Sequence, residues 1–373
     1  MDYTIVTAWY DVREKEKHPL KDDISCKYFC TMEQYFDAVK PFFNKPFPMV
    51  IFTEPRFKEI ILAARPIELH DKTRFIFRDY DDILYYNLFP KYEDNHNNHP
   101  IHNLIKEKFT ALYKFIVNQK VNFVKDVIQF NPFNTEKFAW MDMRLHCVYD
   151  MDMDETQNIF NRMSKDKVTI MQMSFTEPVT DRRDFYAFTR GKVAAGFFGG
   201  YKEPLLKFCD LCQKELLTSI EEQTAPTDEM IYSFVISHHR ALFDAYVGEY
   251  SDCLRNILCI RKSLHLVFNF LQSTFDRGVH HYTTALTERI RCGMVAGDIS
   301  LNAEQINKAW YYAYIAHYWL GEHDKCQKIL NEYLDIAERR NDVAEHIRGA
   351  HPYLIHMTSY LNDANINQRL KSI

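Results

Sequence analysis

Within its first 80 residues the chain alternates strand-like and helix-like segments, and that alternation leaves few folds open. Tyr3–Trp9 is β-branched and apolar enough for a buried first strand. Tyr28–Phe43 carries Phe29, Met32, Tyr35, Phe36 and Val39 at helical spacing and is expected to stop at Pro41. Phe47–Thr53 reads as a second strand, Arg56–Arg65 as a short helix, and Thr73–Arg78 as a third strand. Parallel strands joined by helices cross over with one hand, so this pattern predicts an α/β fold with a doubly wound, mostly parallel sheet flanked by helices.

Further along, residues 90–101 are polar and turn-rich and predict an exposed loop, in which His96, His99 and His102 are solvated. Leu104–Ile128 predicts one long amphipathic helix. Phe138–Cys147 predicts a strand whose apolar run ends at Asp142. Arg144 and His146 follow on alternate positions, so all three would share a face. A carboxylate where a buried strand emerges from an open sheet stands where such folds bind ligands.

Asp150, Asp152 and Asp154 also alternate, and could chelate a cation. The plainer reading is an acidic turn into a helix, with Asp154 as its N-cap. Lys167–Met173 predicts another strand. Asp184–Tyr201 holds four of only 10 glycines, Gly191, Gly196, Gly199 and Gly200, more than a tight turn needs, and predicts positions of positive φ or close backbone approach whose exposed amides could hold a phosphate or a sugar hydroxyl. Cys209 and Cys212 read as thiols packed inside a helix over Lys207–Ile220. Thr227 suits the N-cap of a further helix, with Asp228 and Glu229 at its positive end.

From about Ala241 the pattern is helical throughout, and residues 276–373 read as a small appended bundle. Gly248-Glu-Tyr-Ser-Asp-Cys253 and Gly321-Glu-His-Asp-Lys-Cys326 are alike, in the manner of tetratricopeptide hairpins, but two copies fall short of an array. An exposed aromatic face on that tail could bury itself in a homodimer.

Composition closes off several classes. A net charge of -5 and the lack of a basic block argue against nucleic acid as a partner. An odd count of 9 cysteines, with a folded strand already at residues 2–10, predicts a cytoplasmic protein without a disulfide framework. No apolar run is long enough for a membrane span.

Taken together, residues 1–275 resemble the HtrL/YibB (WlaTC-like) family of presumed glycosyltransferases. The resemblance is carried by Thr4-Ile-Val-Thr-Ala-Trp-Tyr-Asp-Val-Arg13, Met49-Val-Ile-Phe-Thr-Glu54, Phe138-Ala-Trp-Met-Asp142, Ala194–Tyr201, Asp228-Glu-Met-Ile231 and Gly248-Glu-Tyr250. It implies a GT-A-like, Rossmann-type domain that moves a sugar from a nucleotide-sugar donor, a UDP-sugar by preference, to a hydroxyl of a glycan or other acceptor. It also implies a divalent cation, Mn²⁺ or Mg²⁺. Such enzymes often hold the metal through Asp-x-Asp, whereas here the segment is Asp142-Met-Arg144.

The expected roles follow from that resemblance. Thr7, Ala8 and Trp9 would cradle the nucleoside, with Arg13 and Arg65 near the ribose or phosphates. Asp142 would take the metal or the ribose, with His238 a lesser candidate for a metal or diphosphate contact, unless Arg144 neutralises the diphosphate itself. Gly199 and Gly200 would contact the sugar, and Asp228 or Glu229 would be the base. Two other classes remain open on the residues alone: a helical-repeat interaction protein without catalysis, and a metal-dependent hydrolase of nucleotide derivatives.

Overall fold

A computed structural model describes residues 2–16, 32–102, 109–145, 151–188, 193–250, 253–260 and 262–345, together with 347, 366, 368 and 369. Two compact units divide the chain, Met1–Asp244 and Ala245–Ile373. The boundary expected near residue 275 falls on a helix of the second unit.

The first unit is built on β1 (Tyr3–Trp9), β2 (Met49–Thr53), β3 (Thr73–Phe77), β4 (Lys137–Met141), β5 (Val168–Gln172) and β6 (Val193–Tyr201). With β7 (Phe243–Val247) they form a seven-stranded sheet in the order β3-β2-β1-β4-β6-β5-β7. The pairs β1–β2, β1–β4 and β2–β3 are parallel, as the alternation predicts. β6 runs antiparallel to both β4 and β5, so the sheet is mixed.

Helices cover both faces. On one side α6 (Lys120–Phe130) and α9 (Lys202–Glu221) bury Val6, Phe52, Phe138, Trp140 and Phe198 with Phe123 and Phe208. On the other, Tyr3 stacks on Phe160 of α7 (Met153–Arg162) with ring centres 3.8 Å apart, and Trp9 lies against Tyr35 and Phe36 of α2 (Met32–Phe43). The alternation along β1, with Tyr3 and Trp9 to one face and Val6 and Tyr10 to the other, therefore decides which helix each residue meets.

Several local expectations change. Pro41 stays inside α2, which continues to Phe43. The polar stretch after residue 88 is a helix, α4 (Phe89–Asn98), because Tyr92 and Asn95 on one face are buried: Tyr92 donates from its hydroxyl to the Pro226 carbonyl and Asn95 donates to the Ile220 carbonyl. The predicted long helix is two, α5 (Ala111–Val117) and α6, interrupted at Asn118 and Gln119, and residues 103–108 lie outside the described set. Gly196, Gly199 and Gly200 lie in the buried strand β6 and none has a positive φ, so they are not the exposed phosphate- or sugar-binding backbone expected. Asp152, not Asp154, caps α7 by accepting from the Glu155 amide, while Asp150 and Gly191 lie outside the described residues. Cys209 and Cys212 are buried free thiols in α9, as expected.

The second unit begins within strand β7, so it is not helical from its start. It continues through α11 (Leu264–Asp276), α12 (His280–Val295), α13 (Ala303–Trp319) and α14 (His323–Arg339), each packed on the next. Gly293 lets the segment around Ile260 lie on α12: a Cβ there would stand 2.2 Å from the Ile260 carbonyl oxygen. Among the described residues no helix is long and apolar enough to cross a membrane.

Candidate functional site

Chain order along the sheet fixes where a ligand can sit. From β1 the chain passes to β2 on one side, whereas β4 lies on the other, so the order reverses between β1 and β4. Ligands of open α/β sheets bind outside the carboxyl ends of the strands at such a reversal. Here those ends are Trp9 and Met141, and Asp142 follows directly.

Asp142 continues the face of Phe138 and Trp140. Its backbone amide donates to the Gly196 carbonyl of β6 at 2.8 Å, and its Oδ1 accepts from the Trp140 indole at 2.7 Å. Beyond it the strand ends. Leu145 donates its amide to the Asp142 carbonyl at 3.0 Å, which closes a turn. Arg144 therefore does not share a strand face with Asp142, and His146 lies outside the described residues. Arg144 is exposed on that turn with its guanidinium over Tyr35 at 5.8 Å, and Tyr35 lies on Trp9 with ring centres 4.1 Å apart. Trp9, Tyr35 and Arg144 thus form a layer beside the reversal.

A third charge completes the arrangement. Lys120, the first residue of α6, places its ammonium 3.1 Å from Asp142 Oδ1 and 2.9 Å from Asp228 Oδ2, and donates to the Ala195 carbonyl at 3.1 Å. The Trp140 ring lies under it at 5.6 Å. The side chains of Lys120 and Asp228 are only 8% and 7% exposed, against 31% for Asp142. So Asp142 is the member that solvent or a ligand can reach.

Asp228 begins α10 (Asp228–His238), and its Oδ1 accepts from the Glu229 amide at 2.9 Å. Burial raises its pKa above the usual carboxylate range, Lys120 works to lower it, and Asp142 raises it further. Tyr113 of α5 feels all of these charges together, Lys120, Asp228, Asp142 and Glu229, and burial raises its phenol pKa.

Near the carboxyl ends of β1 and β3 several polar atoms are buried without a hydrogen-bond partner: Thr7 Oγ1, the Trp9 indole nitrogen and the hydroxyls of Tyr10 and Tyr80. They do not form one group: Thr7 and Trp9 face α2, whereas Tyr10 packs with Tyr80 and with Phe123 of α6 on the other face. Ala8 is half-buried beside them. Arg13 follows in α1 (Val12–Lys15), 3.9 Å from Asp11.

The other expected residues are elsewhere. Arg65 is 2% exposed and donates to the carbonyls of Phe43, Phe47 and Leu69 and to the Thr73 hydroxyl. Those groups border the starts of β2 and β3, the opposite edge of the sheet, so Arg65 ties backbone together there. Gly199 and Gly200 pair with Ala139 and Phe138, in the amino half of β4. A Cβ on Gly199 would lie 3.0 Å from both Ala139 Cβ and Met163 Cε, so close packing explains this glycine. His238 closes α10, ten residues and thus ~15 Å from Asp228; its Nδ1 is 2.9 Å from the Phe234 carbonyl and the Ser237 hydroxyl.

The first 259 residues match the family described as "Bacterial protein of unknown function (HtrL_YibB)". The chain belongs to the HtrL_YibB family. No curated protein matches it. Within this HtrL_YibB chain the resemblance thus covers the whole of the first unit and the cluster in it, and the family's description assigns no activity.

A divalent cation does not fit the donor set of this cluster. Both oxygens of Asp142 lie within 3.3 Å of the Lys120 ammonium, and Asp228 gives its oxygens to Lys120 and the Glu229 amide. Position 144 supplies a guanidinium, His238 sits at the far end of α10, and Asp152 is spent on a helix cap. Among the described residues no group of three His, Cys, Asp or Glu side chains could hold a metal ion.

Lys120, Tyr35 and Tyr113 were not legible as site residues. A lysine at the start of a helix opposes the helix dipole, and this one is buried. That conflict between local preference and position was the available signal, but it needs the helix start at residue 120, which the single-helix reading hid.

Proposed function

We propose that this chain is a glycosyltransferase with a GT-A-like first unit, moving a sugar from a nucleotide-sugar donor to a hydroxyl of a glycan or other acceptor. The observation that carries the reading is the convergence of Asp142 and Asp228, 86 positions apart in sequence, on one lysine at the reversal between β1 and β4. The packed rings of Trp9 and Tyr35 beside that reversal support a nucleoside there. Arg144 is the exposed cation suited to the diphosphate, since a guanidinium matches phosphate geometry.

In the transfer, the bond from the sugar's anomeric carbon to the diphosphate oxygen breaks and the acceptor oxygen takes that carbon. The hydroxyl proton passes to a carboxylate, and the nucleoside diphosphate leaves with the electron pair. Asp228 is closed off, with both oxygens engaged. Glu229, half-buried in the same helical turn, is the better base. Donor charge near the leaving oxygen is met by Arg144 and backbone donors.

Thermal unfolding with UDP-, GDP-, dTDP- and CMP-sugars tests the reading. A donor at 100 times its dissociation constant adds ~2.7 kcal/mol of stability. One nucleotide should shift the transition and be consumed when an acceptor is supplied. If none of the four shifts it, glycosyl transfer is rejected and the interaction-protein alternative takes its place. Consumption of the donor without any acceptor, at full rate, would instead favour the hydrolase.

A further inference from the structure

We infer that Lys120 is the built-in cation of this site and that the protein binds its nucleotide without a divalent metal. The inference rests on the glycosyltransferase reading and deepens it. Two carboxylates brought together at a diphosphate site need a positive charge between them, and that charge is already part of the chain: Asp142 and Asp228 each lie within 3.1 Å of the one ammonium.

Three features say that the lysine is placed for this purpose. Its ammonium is engaged by both carboxylates and by the Ala195 carbonyl, so its charge is held inside the cluster. It stands against the Trp140 face, which favours a cation, and Trp140 also donates to Asp142, so the same indole fixes both partners. And it is held at a helix N-terminus, where a positive charge is disfavoured unless carboxylates compensate it. The cluster of Lys120, Asp142 and Asp228 then carries a formal charge of one negative. Replacing Lys120 by a neutral side chain makes it two negative, and replacing Asp228 as well returns it to one.

Calorimetric titration with UDP, GDP, dTDP and CMP, in EDTA and again in Mn²⁺, reads this directly. The wild-type protein should bind one of them equally in both conditions. Lys120→Met should bind about 100-fold more weakly in EDTA, with Mn²⁺ restoring most of the loss. Lys120→Met/Asp228→Asn, which leaves no unpaired buried carboxylate at position 228, should recover binding in EDTA; it also serves if the single variant does not fold, as judged by circular dichroism.

Wild-type binding that requires Mn²⁺ overturns the inference while leaving glycosyl transfer standing. So does undiminished binding by folded Lys120→Met in EDTA, or a folded double variant that stays as weak as a lysine-free site with two carboxylates. Absence of binding by every nucleotide in both conditions overturns the glycosyltransferase reading, and this inference with it.

Discussion

Asp142 and Lys114 show how far burial decides what a charged residue does here. Asp142 is the reachable carboxylate of its cluster, so Asp142→Asn should cut sugar transfer by ~10²-fold or more while the protein keeps its native melting temperature. Retained transfer would remove Asp142 from the site. Lys114 is fully buried on α5, donates to the Ala225 carbonyl at 2.7 Å, and burial lowers its pKa to about 7. An unfolded lysine keeps its proton to about pH 10.4. Between those values the unfolded chain binds more protons than the folded one, so stability rises with pH. Urea unfolding from about pH 7 to pH 9 should show an upward slope approaching ~1.4 kcal/mol per pH unit. Lys114→Met should lose that slope, and an unchanged slope would place the titration elsewhere.

At the scale of elements, β6 and α13 make opposite demands on single residues. The glycines of β6 looked like ligand-binding backbone because glycine scarcity made the group conspicuous. At Gly199 the cause is close packing against Ala139 of β4 and Met163. Gly199→Ala should therefore cost ~1–3 kcal/mol by overpacking and leave nucleotide affinity unchanged in titration calorimetry; a loss of affinity at native stability would return Gly199 to the sugar. α13 opens with a reciprocal cap in which Asn302 accepts from the Gln305 amide and Gln305 accepts from the Asn302 amide. Asn302→Ala should cost ~1 kcal/mol in the same unfolding experiment. β4 ends at Met141 and not at Cys147 for a related reason: the turn bond from Leu145 to Asp142 outcompetes further pairing, and it swings Arg144 out of the strand face onto Tyr35.

For the whole molecule, two compact units divide the chain after Asp244, where a domain to residue 275 with an appended bundle over 276–373 was expected. Gly199 and Asn302 lie in different units, so the costs of Gly199→Ala and Asn302→Ala should add within about 0.5 kcal/mol in the double variant. A larger coupling would mean that the two cores respond as one.

The sequence by itself determined the α/β class, the parallel pairing of β1, β2 and β3, a strand through Phe138–Met141, and the helix that begins at Asp228. Each rests on local periodicity or a capping preference, which neighbouring residues set. It pointed to Asp142, Trp9, Asp228 and Glu229 because a strand end or a helix start makes such residues conspicuous. Only the tertiary structure decided the rest. The antiparallel course of β6, the burial of Arg65 among carbonyls, the distance of His238 along α10 and the closing of Lys120 onto two aspartates all depend on which distant segments meet. Local propensity carries no record of that pairing, and a lysine's choice of partner is fixed by what is buried beside it.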